Sequence, residues 1–493
     1  MSIAPPTLDT KASTPSDSLH AKSVLGIFGR STLWLWLDRG GLRLGTALAG
    51  LWLVRYLGPA DFGVYTTALA YGAVLGAFLD FGLSIRAARE VGVNREEGKR
   101  IIATYVAVTA LAFIPQLALI IGAMALGHWY LAAIGAGFLF INSDTTVSFC
   151  RFVLTSELRA KETLPGSLLS AIGMIVVVVA IVMLHGSVLQ LLIWLSVKSL
   201  AAMFLRLWQI RDLWPSRRDF TWSEMKGTLV RSWPYFSYTL VQMGYERVAI
   251  ICFAWVASEY QVGLFAAAVT IASIYPQWSY ASADAVLPLL TRLFEYRRWD
   301  ELVDLRQRLL DVLLFVSVPV AVVMCVFAPQ ICALLGARYA SSTVVLRIVA
   351  YRSVVSVLDG FIGQAFLPAI GRVRERSNAQ LKAIAIAGIL MIVFGHFWGA
   401  TGAGLALLVA DGFLLLEYLP ICRAAHLTVQ WHALWPSLAA GGGMALVALY
   451  LPHTTWAEKV VPSLVVYSGI ILILARSRVF RAGGTLRECF GGR

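Results

Sequence analysis

The chain has 493 residues, of which 58% are hydrophobic and 14% charged, against about 25% charged in an ordinary soluble domain. From Ile101 to Ser143 there are 43 residues without Asp, Glu, Lys or Arg, and from Thr163 to Val197 another 35; with a mean hydropathy of +0.73, such a chain cannot be one water-soluble core. About 20 apolar residues cross a bilayer as helix, so each run holds a helical hairpin, and the expected fold is an all-α polytopic membrane protein. No G-x-x-x-x-G-K-[ST] phosphate loop is present, and no polar stretch is long enough for a nucleotide-binding domain, which excludes an ATP-driven pump within this chain. The cysteines at 150, 252, 325, 332, 422 and 489 form no C-x-x-C pair, and the histidines have no metal-ligand spacing. Neither a metal nor a cofactor is expected.

In chain order, residues 1–23 are rich in Ser, Thr, Pro and Asp and read as a disordered tail, without the basic start and apolar core of a signal peptide. A first bundle of six helices is predicted within 24–208, with spans near 31–54, 63–85, 101–126, 130–150, 164–184 and 188–208. A linker at 209–232, with Trp214-Pro215 and Arg217-Arg218, reads as amphipathic and interfacial. A second bundle of six follows within 233–425, with spans near 233–256, 261–290, 309–328, 343–370, 380–398 and 401–421. An added pair near 434–451 and 458–475, within 426–476, precedes a tail at 477–493. About fourteen spans are therefore expected.

Basic residues orient the spans. The net charge is +13. With the N-terminus in the cytoplasm, 32 Lys and Arg fall on the cytoplasmic side, counting Arg206 and Lys382 within one turn of predicted span ends, while three (Arg55, Arg338 and Lys459) fall outside. This positive-inside division places both termini in the cytoplasm and assigns the basic excess to topology and anionic headgroups rather than to nucleic acid. The outer loops are short, which argues against a membrane enzyme needing an outer catalytic domain. A scaffold without transport would not need so many charges within spans.

Six spans, a linker and six more suggest a duplicated core. At an offset of 200 residues Gly63 meets Gly263, Tyr65 meets Phe265 and Ala68 meets Ala268; halves of six spans share orientation and are related by an axis along the membrane normal. Ionisable residues within spans cost about 3 kcal/mol each on insertion scales and need partners or a wet cavity. Asp38, Arg39, Arg43, Asp80, Glu246, Arg247, Arg352, Asp359 and Asp411 are such residues. Arg39 and Arg43 share one helix face. Arg352 and Asp359, seven apart on one helix, are expected as a structural pair. If the bundles face each other, Arg39, Arg43 and Arg247 converge on a cationic cavity, and a guanidinium fork suits a diphosphate. Trp233, Tyr235, Tyr238, Tyr245, Tyr275, Trp278 and Tyr280 stand at helical spacing, as ordinary core packing or as aromatic platforms for a ligand. The last pair carries Gly441-Gly442-Gly443, which permits close packing or a bend.

Arg55–Tyr65 reads RYLGPADFGVY, the following helix ends in Asp80-Phe81-Gly82-Leu83-Ser84, and a basic stretch begins at Arg86. This resembles the opening of bacterial lipid-linked oligosaccharide flippases, the Wzx-type polysaccharide-transporter branch of the multidrug/oligosaccharidyl-lipid/polysaccharide exporter superfamily. Glu246-Arg247 is similar to an acidic–basic pair of that family, and Val262–Ala268 resembles its next helix start. Gly40-Gly41 within the first span departs from the pattern.

The resemblance implies a flippase, not an enzyme, of the bacterial inner membrane. It would move a polyprenyl-diphosphate-linked oligosaccharide by alternating access for O-antigen, capsule or exopolysaccharide assembly, with polymerase and export machinery as candidate partners. Arg39, Arg43 and Arg247 are then the diphosphate-binding candidates, and Arg55, Asp80 and Glu246 candidates for the mouth or for coupling. The alternatives are a cation-coupled multidrug exporter of the same fold, for which an acidic cavity would be expected, and a lipid II flippase.

Overall fold

A computed structural model of the chain describes residues 42–92, 94–157, 159–216, 221–273, 275–424, 434–451 and 456–474. Arg39, the tails and the Gly40-Gly41 pair lie outside the described residues. The first half begins with α1 (Leu42–Asp80), which bends at Gly58, where φ is +74°. Glycine takes that left-handed conformation without a Cβ penalty, and Pro59 follows with no N–H to lose. A short α2 (Leu83–Glu90) precedes α3 (Arg95–Ala125), whose first turn is capped by the Asn94 side chain accepting the Glu96 and Glu97 N–H groups at 3.2 Å. Three more helices complete this half: α4 (Trp129–Ser156), α5 (Thr163–Met183) and α6 (Val188–Gln209), the last opened by a reciprocal Ser187–Gln190 cap.

The second half comprises α7 (Trp222–Ala254), α8 (Glu259–Ser273), α9 (Pro276–Glu295), α10 (Trp299–Val326), α11 (Ala328–Leu335), α12 (Ser342–Phe361) and α13 (Val373–Ala424). A π-helical turn, Ile362–Phe366, continues α12, and α13 bends at Gly399, φ +56°. The pair α14 (Leu434–Tyr450) and α15 (Trp456–Leu474) ends the described chain. Among the described residues there is no strand. Six helical stretches are long and apolar enough to cross a membrane, and the chain is an integral membrane protein. The stretch read as one span at 261–290 is two helices, with Pro276 in the first turn of α9, a position that needs no N–H. Helix α7 opens at Trp222, inside the stretch read as linker.

Packing divides the molecule by level. At the end carrying the Gly58 bend, Leu53, Val54 and Ala68 of α1, Leu191 of α6, Phe265 of α8 and Tyr339 belong to one buried cluster shared by both halves. At the opposite end the cores are separate. Leu83, Ile101, Phe149 and Leu213 form one within the first half; Leu290, Leu310, Phe366 and Leu414 form another within the second. The α14–α15 pair packs on α10 through Val318, Ala440, Met444, Tyr467 and Ile471. A Cβ on Gly441 would stand 2.7 Å from Val318 of α10 and one on Gly443 2.4 Å from Ile470 of α15, while one on Gly442 would meet nothing within 4 Å, so two of the three glycines serve close packing.

Candidate substrate passage between the halves

Where the core is shared, α1 and α8 cross at backbone distance. A Cβ on Gly63 would stand 1.9 Å from the Glu259 carbonyl oxygen, and one on Gly263 would stand 1.7 Å from the Pro59 carbonyl oxygen. Each glycine meets the carbonyl four residues ahead of its counterpart, the reciprocity that a two-fold relation between repeats at an offset of 200 requires. Tyr339, between α11 and α12, adds a bond across the seam, its hydroxyl donating to the Val54 carbonyl at 2.8 Å.

Below this crossing stands Arg247 of α7. It is half-buried and within electrostatic reach of the Tyr65 hydroxyl of α1. Two residues earlier, Tyr245 faces the second half, its hydroxyl donating to Asp411 Oδ1 at 2.6 Å. The other oxygen of Asp411 accepts from Arg352 Nε at 3.0 Å and Ser356 Oγ at 2.9 Å. Arg352 is therefore paired with Asp411, not with Asp359 as its spacing suggested; Asp359 accepts from the Tyr418 hydroxyl at 2.9 Å. Seven residues of helix are about 10 Å of rise, too far for a direct ion pair, whereas α12 and α13 lie side by side.

At the opposite end, the first turns of α7 dock on the first half. Arg86 is buried, donates to the Thr228 carbonyl at 2.9 Å, and pairs with Glu90 at 3.0 Å and with Glu97. Glu97 also meets Arg231 of α7 at 3.1 Å. Phe81 stacks on Phe236 with centroids 4.6 Å apart. A Cβ on Gly82, φ +77°, would stand 2.5 Å from the Phe236 nitrogen. Helix α7 thus belongs to the first half at one end and to the second at the other. Charge counting put Arg86 among loop cations; its acidic partners at i+4 and i+11 were the available signal.

The sequence-derived site residues are not all in one place. Asp80 accepts the N–H groups of Gly82 and Ser84, at 3.2 and 3.3 Å, and the Ser84 hydroxyl; it caps the turn into α2, about 22 Å along α1 from Tyr65. Arg55 is exposed near the Gly58 bend. Arg43 and Glu246 lie on α1 and α7, with side chains outside the described residues. Counted along the two arms of α1, the Arg43 backbone is about 12 Å further from the bend than Tyr65. Among the aromatics, Trp233 and Tyr235 lie in the first-half seam, against Phe81 and Arg89, and the Tyr275 hydroxyl donates to the Leu313 carbonyl at 3.3 Å. The side chains of Tyr238, Trp278 and Tyr280 lie outside the described residues.

The two helical halves thus share one core at one end and keep separate cores at the other. Residues 32–294 match the family described as polysaccharide biosynthesis protein; the match covers more than half of the chain, which belongs to that family. The fold is similar to that of lipid II flippase MurJ in an inward closed conformation, at a TM-score of 0.72 and 14% identity over 91% of this chain and 99% of that one. It is also similar to a multidrug resistance MATE family transporter of the MOP superfamily in an inward-facing conformation, at 0.56 and 17% over 79% and 96%. An outward-facing form gives 0.52 and 16% over 80% and 94%. No curated protein sequence matches at a significant level.

Proposed function

We propose that this protein moves a polyprenyl-diphosphate-linked oligosaccharide from the cytoplasmic to the outer leaflet of the bacterial inner membrane, for O-antigen, capsule or exopolysaccharide assembly. Fourteen spans with both termini in the cytoplasm put the Gly58 bend outside and Arg86 inside. The observation that supports this reading best is the division of cores, one shared outside and two separate inside. It suits an inward-opening passage whose two walls rock about the α1–α8 crossing.

Arg247 stands at the top of that passage, and Arg39 and Arg43 would join it as a clamp on the diphosphate. Glu246 would tune the clamp or couple it to an ion. Asp80 would act through the turn it caps, and Arg55 at the outer mouth. A multidrug exporter is less well supported, because Arg247 is a cation and the Asp411 carboxylate is engaged by Arg352. A charge-assisted contact contributes about 1.5–3 kcal/mol, so Arg247→Ala should weaken substrate binding about ten- to a hundredfold. Polymer export should fail while the protein still accumulates in the membrane, and Arg247→Lys, which keeps charge but not the fork, should restore only part. Full export by an Arg39→Ala/Arg43→Ala/Arg247→Ala variant would overturn the clamp.

A further inference from the structure

We infer a binding groove for one isoprenoid chain and its phosphate at the outer seam between the halves, distinct from the central clamp. The first arm of α1 presents Leu51, Trp52 and Arg55 on one face, and α11 presents Ile331, Leu334 and Leu335 opposite them. Ile271 of α8 also lines the groove, twelve residues or about 18 Å along its helix from Glu259. The groove is open on one side and has a volume of about 260 Å³.

Three features point to this occupant. The walls come from both halves, so the groove takes this shape only while α1, α8 and α11 keep their present arrangement, and a ligand there would favour this state over others. The lining is apolar except at the rim, where Arg55 is exposed and, among the described residues, has no acidic partner. An unpaired guanidinium above an apolar slot complements a phosphate carried on a hydrocarbon chain. The groove, about 260 Å³ and open on one side, is on the scale of one chain segment, below the roughly 300–1,000 Å³ of pockets for drug-sized ligands. This inference rests on the carrier being a polyprenyl lipid, as proposed above, and adds where its chain lies when its phosphate is at the outer face.

The test is native mass spectrometry of the purified full chain in detergent, with three probes: polyprenyl phosphate, polyprenol and phosphatidylglycerol. Wild type and Arg247→Ala should both bind polyprenyl phosphate about tenfold or more tightly than either other probe. Adding Arg55→Gln should lower that binding to the polyprenol level. Leu334→Trp, at a position 58% exposed that can accept bulk without disturbing the core, should remove both, with an unchanged melting temperature. Unchanged binding when Arg55→Gln or Leu334→Trp is added to Arg247→Ala overturns the groove, as does equal binding of phosphatidylglycerol. Loss of all binding in Arg247→Ala alone also overturns the groove but leaves the proposed function standing. Absence of polyprenyl phosphate binding by wild type removes both.

Discussion

Asp411 collects three donors from two other helices, the Tyr245 hydroxyl of α7 and the Ser356 and Arg352 side chains of α12. Its carboxylate is 5% exposed and the Arg352 side chain 8%, so neither charge is solvated by water, and each depends on the other. Removing one member of a buried pair costs about 3–5 kcal/mol, whereas replacing both by apolar groups is often neutral. Denaturant unfolding should therefore show Asp411→Leu strongly destabilised and Arg352→Met/Asp411→Leu restored most of the way. Equal losses in the two variants would show that the pair is not what holds α12 to α13. The sequence marked Arg352, Asp359 and Asp411 as intramembrane charges and misassigned the pairing, because spacing along one helix reports a shared face and not a neighbour 59 residues away. Arg247 was legible as a cation at the start of the second half; that it comes within electrostatic reach of Tyr65 depends on the packing of α7 against α1.

At the scale of elements, the α1–α8 crossing was legible in part. The offset of 200 aligned Gly63 with Gly263 but could not show that the two glycines meet. Their carbonyl contacts leave no room for a methyl group, so Gly263→Ala should force the helices apart at the end carrying the Gly58 bend. A cysteine at Phe62, 3% exposed in the native packing, should then react several-fold faster with an impermeant thiol reagent; an unchanged rate would mean that the crossing does not close the passage. The change of allegiance along α7 was not legible, since its docking rests on contacts such as Arg86 to Thr228, 142 residues apart.

The turn between α4 and α5 is sensitive to pH. Arg159 binds Glu162 at 2.6 Å and Asp212 at 2.7 Å, and its hydrogen bond holds the Glu162 carboxyl below the usual carboxylate range. A depressed pKa adds stability that is complete above the unfolded value of about 4.3 and is lost as pH falls through the folded one. Amide exchange at Ala160–Glu162, corrected for intrinsic chemistry, should be flat from pH 8 to 5.5 and rise only in stronger acid.

For the whole molecule, hydropathy and positive-inside counting gave the helical class and the two-half plan, because bilayer thickness and headgroup charge act on composition directly. They could not give the conformation, which depends on where the apolar faces of distant helices find each other. Single-cysteine labelling should place Gly127–Tyr130 and Gly399–Gly402 outside and Arg95 and Arg374 inside; any one of these on the wrong side breaks the fourteen-span topology. The most direct test of the central claim is reconstitution of the purified chain in liposomes carrying a fluorescent polyprenyl-diphosphate oligosaccharide in the inner leaflet, read by an impermeant glycosidase added outside. The sugar should become cleavable much faster than in empty liposomes, and Arg247→Ala should reduce the rate to near that background. Cleavage no faster than in empty liposomes, in vesicles where the same protein moves a cationic drug, would contradict the account.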